Sequence, residues 1–271
     1  MNSLALYALG HELDGSLAGA IVSAVLRYPE AATISLSGAP FAYLHVLYHL
    51  REPELFPSDE PLAPERYGRR EMNGAEGRAV TGVRPLDLER VLVVSLGERA
   101  RLGAEGAACL RIDLTPASRP LVLYEGALER PGASIGPRRG RRPGGSDRSL
   151  PPKPFSLLSP PAAVPERIAA AATAESAAGP APEHTLRWNR SRSLAAALVA
   201  SVAGIDPVLA REITREAGGS PERSWDIVTR IAERLAEKSW TWHLYRFPEA
   251  LSPAIYPLEL PLAERGERMS G

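Results

Sequence analysis

The sequence predicts an α+β chain with a β-rich first half, a helical second half and a closing β-hairpin. Three observations predict it. Residues 20–124 break into short apolar runs with near-alternating pattern, punctuated by Pro, Gly and Asp. From Ser191 the apolar residues recur at helical spacing between strong cap signals. Between the two, residues 126–165 are dense in Gly, Pro, Ser and Arg, with too little apolar content to bury.

The elements follow in order. Leu6, Leu9 and Leu13 at helical spacing predict a short helix over residues 3–14, with Gly15 after it. Ala20–Tyr28, Ala32–Ser37 and Phe41–Tyr48 read as strands, separated by Pro29-Glu30 and by a Gly-Ala-Pro turn, and predict an antiparallel meander. The acidic, Pro-rich residues 51–65 read as loop. A short helix or turn around Arg69–Asn73 leads to four strand-like runs, Arg78–Arg84, Arg90–Leu96, Ala107–Leu114 and Leu121–Tyr124. Ala-rich residues 162–178 form a further helix candidate, and Ser191 or Ser193 caps a helix running to Val202. Asp206-Pro207 is an N-cap followed by proline at the first helical position, and Gly218-Gly219 ends that helix. Ser220-Pro221-Glu222 opens a third helix to about Lys238, with Trp225, Val228, Ile231, Ala232 and Leu235 on one face. Trp240–Phe247 and Ala254–Leu260 predict the closing hairpin around Pro248–Pro253. The expected division is a β-rich part at 1–126, a disordered basic insert or linker at 127–165, and a helical part with terminal hairpin at 166–271.

Formal net charge is zero, so the whole molecule is not a generic polyanion binder. The balance is uneven: residues 1–126 carry −4 and residues 127–271 carry +4. Only two of the 32 basic residues are lysine, Lys153 and Lys238. Arginine suits bidentate phosphate contacts. The lone Cys109 excludes an internal disulfide and a multi-cysteine zinc site. The N-terminus lacks the basic start of a signal peptide, and the longest apolar runs are too short to span a bilayer. The expectation is a cytoplasmic protein that does not enter the membrane.

No enzyme site is expected. The five histidines at 11, 45, 49, 184 and 243 lack zinc-site spacing, and no Gly-rich phosphate loop is present. Residues 132–136, GASIG, match a nucleophile elbow only loosely and fall in the insert. No catalytic residue, metal or cofactor is expected.

Gly204–Gly218, GIDPVLAREITREAG, carries more information. The cap turns the second helix so that its first N–H groups face outward, a ready position for a phosphate. Arg211 and Arg215, one turn apart, could add phosphate contacts, whereas Glu212 and Glu216 dilute the charge. A plain helical hairpin would look the same locally.

This segment resembles the Gly-(Ile/Leu)-(Ser/Gly)-Pro-Leu-Leu-Ala-Arg-Glu-Ile stretch of the NFACT N-terminal domain family, the RqcH- and NEMF-like proteins once called fibronectin-binding proteins. Gly204, Pro207, Leu209, Ala210, Arg211, Glu212 and Ile213 match, and Asp206 stands where Ser or Gly is usual. Residues 6–27, 73–96 and 108–126 are similar, in order, to the family's opening helix and strand units, and LLSPP at 157–161 to its Tyr-x-x-Pro-Pro. The family's Asp-Arg pair, associated with tRNA engagement, is Glu89-Arg90 here, its Glu-(Ile/Leu) is Asp113-Leu114, and its Asn is Pro120. Arg69-Arg70-Glu71-Met72 stands for its Leu-Arg-Lys-His-Leu helix. The resemblance implies a β-rich half related to the formamidopyrimidine-DNA glycosylase fold plus a helix-two-turn-helix-like half. It implies no glycosylase activity, since that class uses an N-terminal proline amine and a Cys-rich zinc finger, against Met1-Asn2-Ser3 and a single cysteine here.

The implied function is ribosome-associated quality control: an RNA-binding module contacting tRNA and the large ribosomal subunit in the rescue of stalled ribosomes. Glu89, Arg90, Asp113, Arg211 and Arg215 are the expected tRNA- or RNA-binding residues. The sequence stops at Gly271, where full-length members continue into a coiled coil and a second RNA-binding domain, so a separate chain is expected to supply them. The alternative is a divergent protein-interaction module that keeps the fold and has lost tRNA binding.

Overall fold

In a computed structural model, the described residues are 1–48, 53–63, 67–99, 108–115, 120–125, 130–135, 153–166, 168–170, 193–246, 254–257, 259 and 267–269. They are mixed α and β, dominated by one large antiparallel sheet. They fall into two compact units. The first draws on Met1, Leu9–Leu86 and Arg90–Ser146, the second on Asn2–Ala8, Asp87–Glu89 and Asp147–Gly271.

Helix α1 (Ser3–Leu17) gives its first residues to the second unit and the rest to the first. Its N-terminus is capped by Asn2, whose Oδ1 accepts from the Ala5 N–H at 2.8 Å. In the first unit the sheet is built from β1 (Ile21–Arg27), β2 (Ala31–Ser37), β3 (Tyr43–Leu47), β4 (Glu54–Ser58), β5 (Arg69–Arg70), β6 (Arg78–Pro85), β7 (Val91–Arg99), β8 (Ala108–Asp113), β9 (Leu121–Glu125) and β10 (Arg130–Ile135). The spatial order is β10-β9-β8-β7-β6-β1-β2-β3-β4, with β5 pairing β1. The β1-β2-β3 meander is as expected from the alternation.

Two edges differ from expectation. Residues 54–58 are a strand, not loop, paired antiparallel with β3. Pro57 hides this in the sequence, but a proline is tolerated on an edge strand, where its missing N–H costs no ladder bond. Residues 130–135, expected inside the disordered insert, pair with β9, with a register irregularity between Pro131 and Ser134 that absorbs Pro131-Gly132. Arg69–Arg70 is a strand rather than a helix or turn.

Residues Leu9–Leu17 of α1 pack closely on this sheet. A Cβ at Gly10 would lie 2.6 Å from Leu92 Cδ2, so glycine permits the approach. Asp14 Oδ1 accepts the Val83 N–H at 2.6 Å, beside a register irregularity in β6. Leu13 and Leu17 are buried, as are Val22, Ile34, Val83, Leu92, Leu110 and Ile112 from the strands.

The second unit has its own core. Helices α2 (Leu194–Ser201), α3 (Pro207–Glu216) and α4 (Pro221–Ala236) carry it, with α2 beginning at a Ser193 cap. Leu198, Leu209, Ile213, Trp225, Val228 and Leu235 are all buried in one cluster with Leu4 and Leu88. β13 (His243–Arg246) pairs antiparallel with β14 (Ala254–Tyr256), the expected hairpin, and also with β15 (Glu267–Met269), which the sequence reading lacks.

Residues 153–165, also expected as linker, belong to this core. β11 (Phe155–Ser156) pairs in parallel with β12 (Val202–Ala203). Leu157 is fully buried, and Trp225 Nε1 donates to the Pro161 carbonyl at 2.9 Å. Proline-rich backbone has few N–H groups of its own, so its carbonyls are satisfied by side chains such as this indole. Residues 168–170 are helical. The basic stretch at 136–145, residues 171–178, Ser191, His49 and His184 lie outside the described residues. Among the described residues, no helix is long and apolar enough to cross a membrane.

Candidate functional site

In the first unit, β-sheet register brings distant candidates together. Val91, the first residue of β7, is paired with Asp113, the last of β8. The Leu114 N–H donates to the Arg90 carbonyl at 2.7 Å. The Asp113 N–H donates to the Pro120 carbonyl at 2.9 Å. Arg90, Asp113-Leu114 and Pro120 therefore share one end of three adjacent strands. Pro120 brings no side-chain amide to that end, but its carbonyl closes the ladder.

The surroundings of these side chains differ. Arg90 is half-buried. Asp113 is engaged by its own strand: Arg111 Nη2 donates to Oδ2 at 3.1 Å, and the Thr115 N–H donates to Oδ1 at 2.9 Å. Arg111 is a neighbour the sequence reading missed, legible only as the residue two before Asp113 on the same strand face. Glu89 is exposed and belongs to the second unit. It follows Asp87, which has φ of 50°, and Leu88, which is 4% exposed in the second unit's core.

In the second unit, α3 buries Leu209, Ala210 and Ile213 and presents Arg211 and Arg215 to solvent. Arg215 Nη2 sits 2.9 Å from Glu212 Oε2, an exposed pair of small energetic weight. Two exposed arginines one turn apart are compatible with phosphate contact.

The start of α3 is not an open phosphate position. Asp206 Oδ1 accepts the N–H groups of both Val208 and Leu209 at 2.9 Å. The Tyr256 hydroxyl donates to the same carboxylate, 2.8 Å from Oδ2. The expected outward-facing N–H groups are thus satisfied from within by a carboxylate, and an incoming anion would meet its negative charge.

Lys153 completes this turn. Its ammonium donates to the carbonyls of Val202 and Ile205 at 3.2 and 3.4 Å. Burial lowers its pKa from the usual lysine value, and the Asp206 charge opposes that shift. The only signal in the sequence is its rarity, one of two lysines in an arginine-rich chain.

Of the histidines, His45 is fully buried. Nδ1 lies 2.9 Å from Thr33 Oγ1 and Nε2 lies 3.0 Å from the Glu60 carbonyl. Of the two neutral tautomers, the one with the proton on Nε2 serves both, accepting from the hydroxyl and donating to the carbonyl. Among the described residues no group of three His, Cys, Asp or Glu is placed to hold a metal ion.

The described residues form an α+β scaffold, and solved structures share its fold. The structure of the fibrinogen binding protein from Staphylococcus aureus is similar over 100% of this chain and 96% of that one, with a TM-score of 0.60 and 11% identity. The N-terminal part of the fibronectin/fibrinogen-binding protein from Streptococcus suis is similar over 96% and 91%, with a TM-score of 0.59 and 13% identity. At such identity the likeness shows the fold. No protein-family model matches the chain, and no curated protein matches it.

Proposed function

We propose that this chain is an RNA-binding module of the NFACT N-terminal kind, contacting tRNA or the large ribosomal subunit in the rescue of stalled ribosomes, and working in the cytoplasm. The observation that supports it most is the convergence of Arg90 with Asp113-Leu114 at one end of β7 and β8. Two sequence motifs more than twenty residues apart, each at a position where the family keeps a charged residue, become neighbours through strand register. Arg211 and Arg215 add a pair of exposed arginines on α3. The proposal includes the kinship of the sheet-rich half to the formamidopyrimidine-DNA glycosylase fold, without glycosylase chemistry.

The test is tRNA binding by fluorescence anisotropy across a salt series. Affinity should fall steeply between 50 and 200 mM salt, as counterion release requires. Arg90→Ala should weaken it across tRNA species alike and make the salt slope shallower by about one. Co-sedimentation with large ribosomal subunits is expected at low salt. Salt-insensitive affinity, or none at 50 mM, sinks the reading.

One observation favours a second reading, a protein-binding module. Both solved structures of this fold cited above are named for fibrinogen or fibronectin, and Asp206 fills the α3 anion position with its own charge. A chain of this kind would bind immobilised fibronectin or fibrinogen and leave the subunit fractions.

A further inference from the structure

We propose that Arg84 and Arg111 form a phosphate track on the face of the first unit's sheet opposite α1, along which the backbone of one RNA strand crosses β6, β7 and β8. The inference rests on the RNA-binding reading above and adds two arginines that reading does not use.

The ladder puts the two arginines in one row. Arg84 of β6 lies directly opposite Val93 of β7, and Val93 lies directly opposite Arg111 of β8. Residues paired across a ladder share a face, so both arginines leave the sheet on the side of Val93. The register irregularities of β6 end at Gly82, before Arg84. The residues next to each arginine along its strand face the other way. That other face is the one that α1 covers: a Cβ at Gly10 of α1 would meet Leu92 and Pro85, which pair with each other. Val83, Leu110 and Ile112, on the same side as Leu92, are buried. Two interstrand spacings, about 9.5 Å, separate the backbones of Arg84 and Arg111.

Neither guanidinium is used up. Arg84 is exposed, and no described residue forms an ion pair or hydrogen bond with its side chain. Arg111 has a side chain 33% exposed and spends Nη2 on Asp113 at 3.1 Å. Its Nε is buried and has no hydrogen-bond partner among the described residues. A buried donor without an acceptor is uncommon in a folded chain and calls for a physical account. Here the account is a side chain held in reserve. A guanidinium grips phosphate through two N–H groups at once. Turning toward a phosphate gains Arg111 an acceptor for Nε, at the cost of the single described bond to Asp113.

The spacing points to a polymer. Two adjacent arginines would close on a single anion, whereas these two stand either side of a whole strand, with apolar Val93 between them. Successive phosphates of a backbone laid across the strands meet such a row, one at each guanidinium. Contacts to separate phosphates act independently, so their losses add; a shared phosphate would make them non-additive.

The experiment uses the full chain and a labelled oligouridine of about 12 nucleotides, read by anisotropy from 50 to 200 mM salt. Arg84→Ala should weaken binding about five- to tenfold at 50 mM and make the salt slope shallower by about 0.7, the share of one single-strand phosphate. Arg111→Gln should do the same, and the double variant should lose the sum, about 1.4 in slope. Arg84→Lys should keep the slope and lose part of the affinity. Arg230→Ala removes the same charge from an exposed position on α4 and should leave both unchanged. Urea midpoints establish that each variant is folded, and exposed Arg84 carries the test even where Arg111→Gln lowers the midpoint. If Arg84→Ala binds like the parent, or no more weakly than Arg230→Ala, while Arg90→Ala weakens binding, the track is overturned and the RNA-binding reading stands. If the parent binds no RNA at 50 mM, that reading falls and takes the track with it. Inorganic phosphate displacing the label as well as unlabelled oligouridine does, at matched ionic strength, would make this a small-anion site. Poly-glutamate doing so at equal charge would make it an acidic-peptide site. Either result overturns the assignment.

Discussion

Asp206 accepts two backbone N–H groups and the hydroxyl of Tyr256, which is 1% exposed. Asp206→Ala removes a helix cap and orphans a buried hydroxyl at once. The expected loss is about 2–4 kcal/mol, seen as a lower urea midpoint. Asp206→Asn keeps the cap and should cost about 1 kcal/mol, which separates the cap from the charge. Gly204, two residues earlier, has φ of 92°, and a Cβ there would lie 2.6 Å from Leu88 Cδ1 and 3.0 Å from Leu157 Cδ1. Gly204→Ala combines a left-handed backbone with overpacking of two buried leucines, and should cost about 2–4 kcal/mol by the same measurement. His45 gives a pH dependence. Burial, its main influence, lowers its pKa below the ordinary 6.5, although the bond to the Glu60 carbonyl pulls the other way. Above pH 6.5 the ring is neutral in both folded and unfolded chains, and its full contribution to stability is present. As pH falls from 6.5 through the lower folded value, the unfolded chain takes up the proton first, so stability is lost. Urea midpoints at pH 7.5 and 5.5 should show this drop, and His45→Gln should reduce it.

At the scale of elements, helices α3 and α4 end in the same motif with different residues. In α3 the Gly219 N–H donates to Thr214 O and the Gly218 N–H to Arg215 O, with Gly218 at φ 61°. In α4 the Ser239 N–H donates to Arg234 O and the Lys238 N–H to Leu235 O, with Lys238 at φ 53°. Both are Schellman ends, whose left-handed position favours glycine. Lys238→Gly should therefore raise the urea midpoint by about 0.5–1 kcal/mol, and Gly218→Ala, which meets open space, should lower it by about 1 kcal/mol. These ends also explain what was legible in the sequence. Asp206-Pro207 and Gly218-Gly219 fix α3 because capping is chemistry between residues a few positions apart. β4 and β10 were not legible, because Pro57 and Pro131-Gly132 contradict strand propensity and only pairing with β3 and β9 overrides it. The two-residue parallel pair of Phe155–Ser156 with Val202–Ala203 is too short to leave a period at all. The candidate site was legible as residues but not as an arrangement. Arg90 and Asp113 meet only through the β7–β8 register, and Lys153, Asp206 and Tyr256 come from three segments roughly fifty residues apart.

For the whole molecule, charge sets the last expectation. The chain has 32 basic and 32 acidic residues, and several arginines already face carboxylates: Arg111 faces Asp113, Arg215 faces Glu212 and Arg230 faces Glu216. Arg78 is 8% exposed, with its guanidinium donating to the carbonyls of Gly74 and Gly97, so it is structural. Zero net charge leaves no overall attraction to a polyanion, so the proposed RNA binding would rest on a few local arginines more than on steering by the whole molecule. Three to six phosphate contacts correspond to a log–log salt slope of about −2 to −5, shallower than that of a strongly basic protein making ten. The association rate should then sit near the unsteered range of about 10⁵–10⁷ M⁻¹s⁻¹ and change little with salt, leaving the dissociation rate to carry the slope. Stopped-flow mixing with labelled tRNA at 50 and 200 mM salt distinguishes the two. An association rate that collapses with salt would show a steering field concentrated on one face, and a total slope near zero would shift the reading to the protein-binding module. Charge inversion adds a check: Arg90→Glu should raise the dissociation rate more than Arg90→Ala, with urea midpoints of both variants separating lost binding from lost stability, because Arg90 is half-buried.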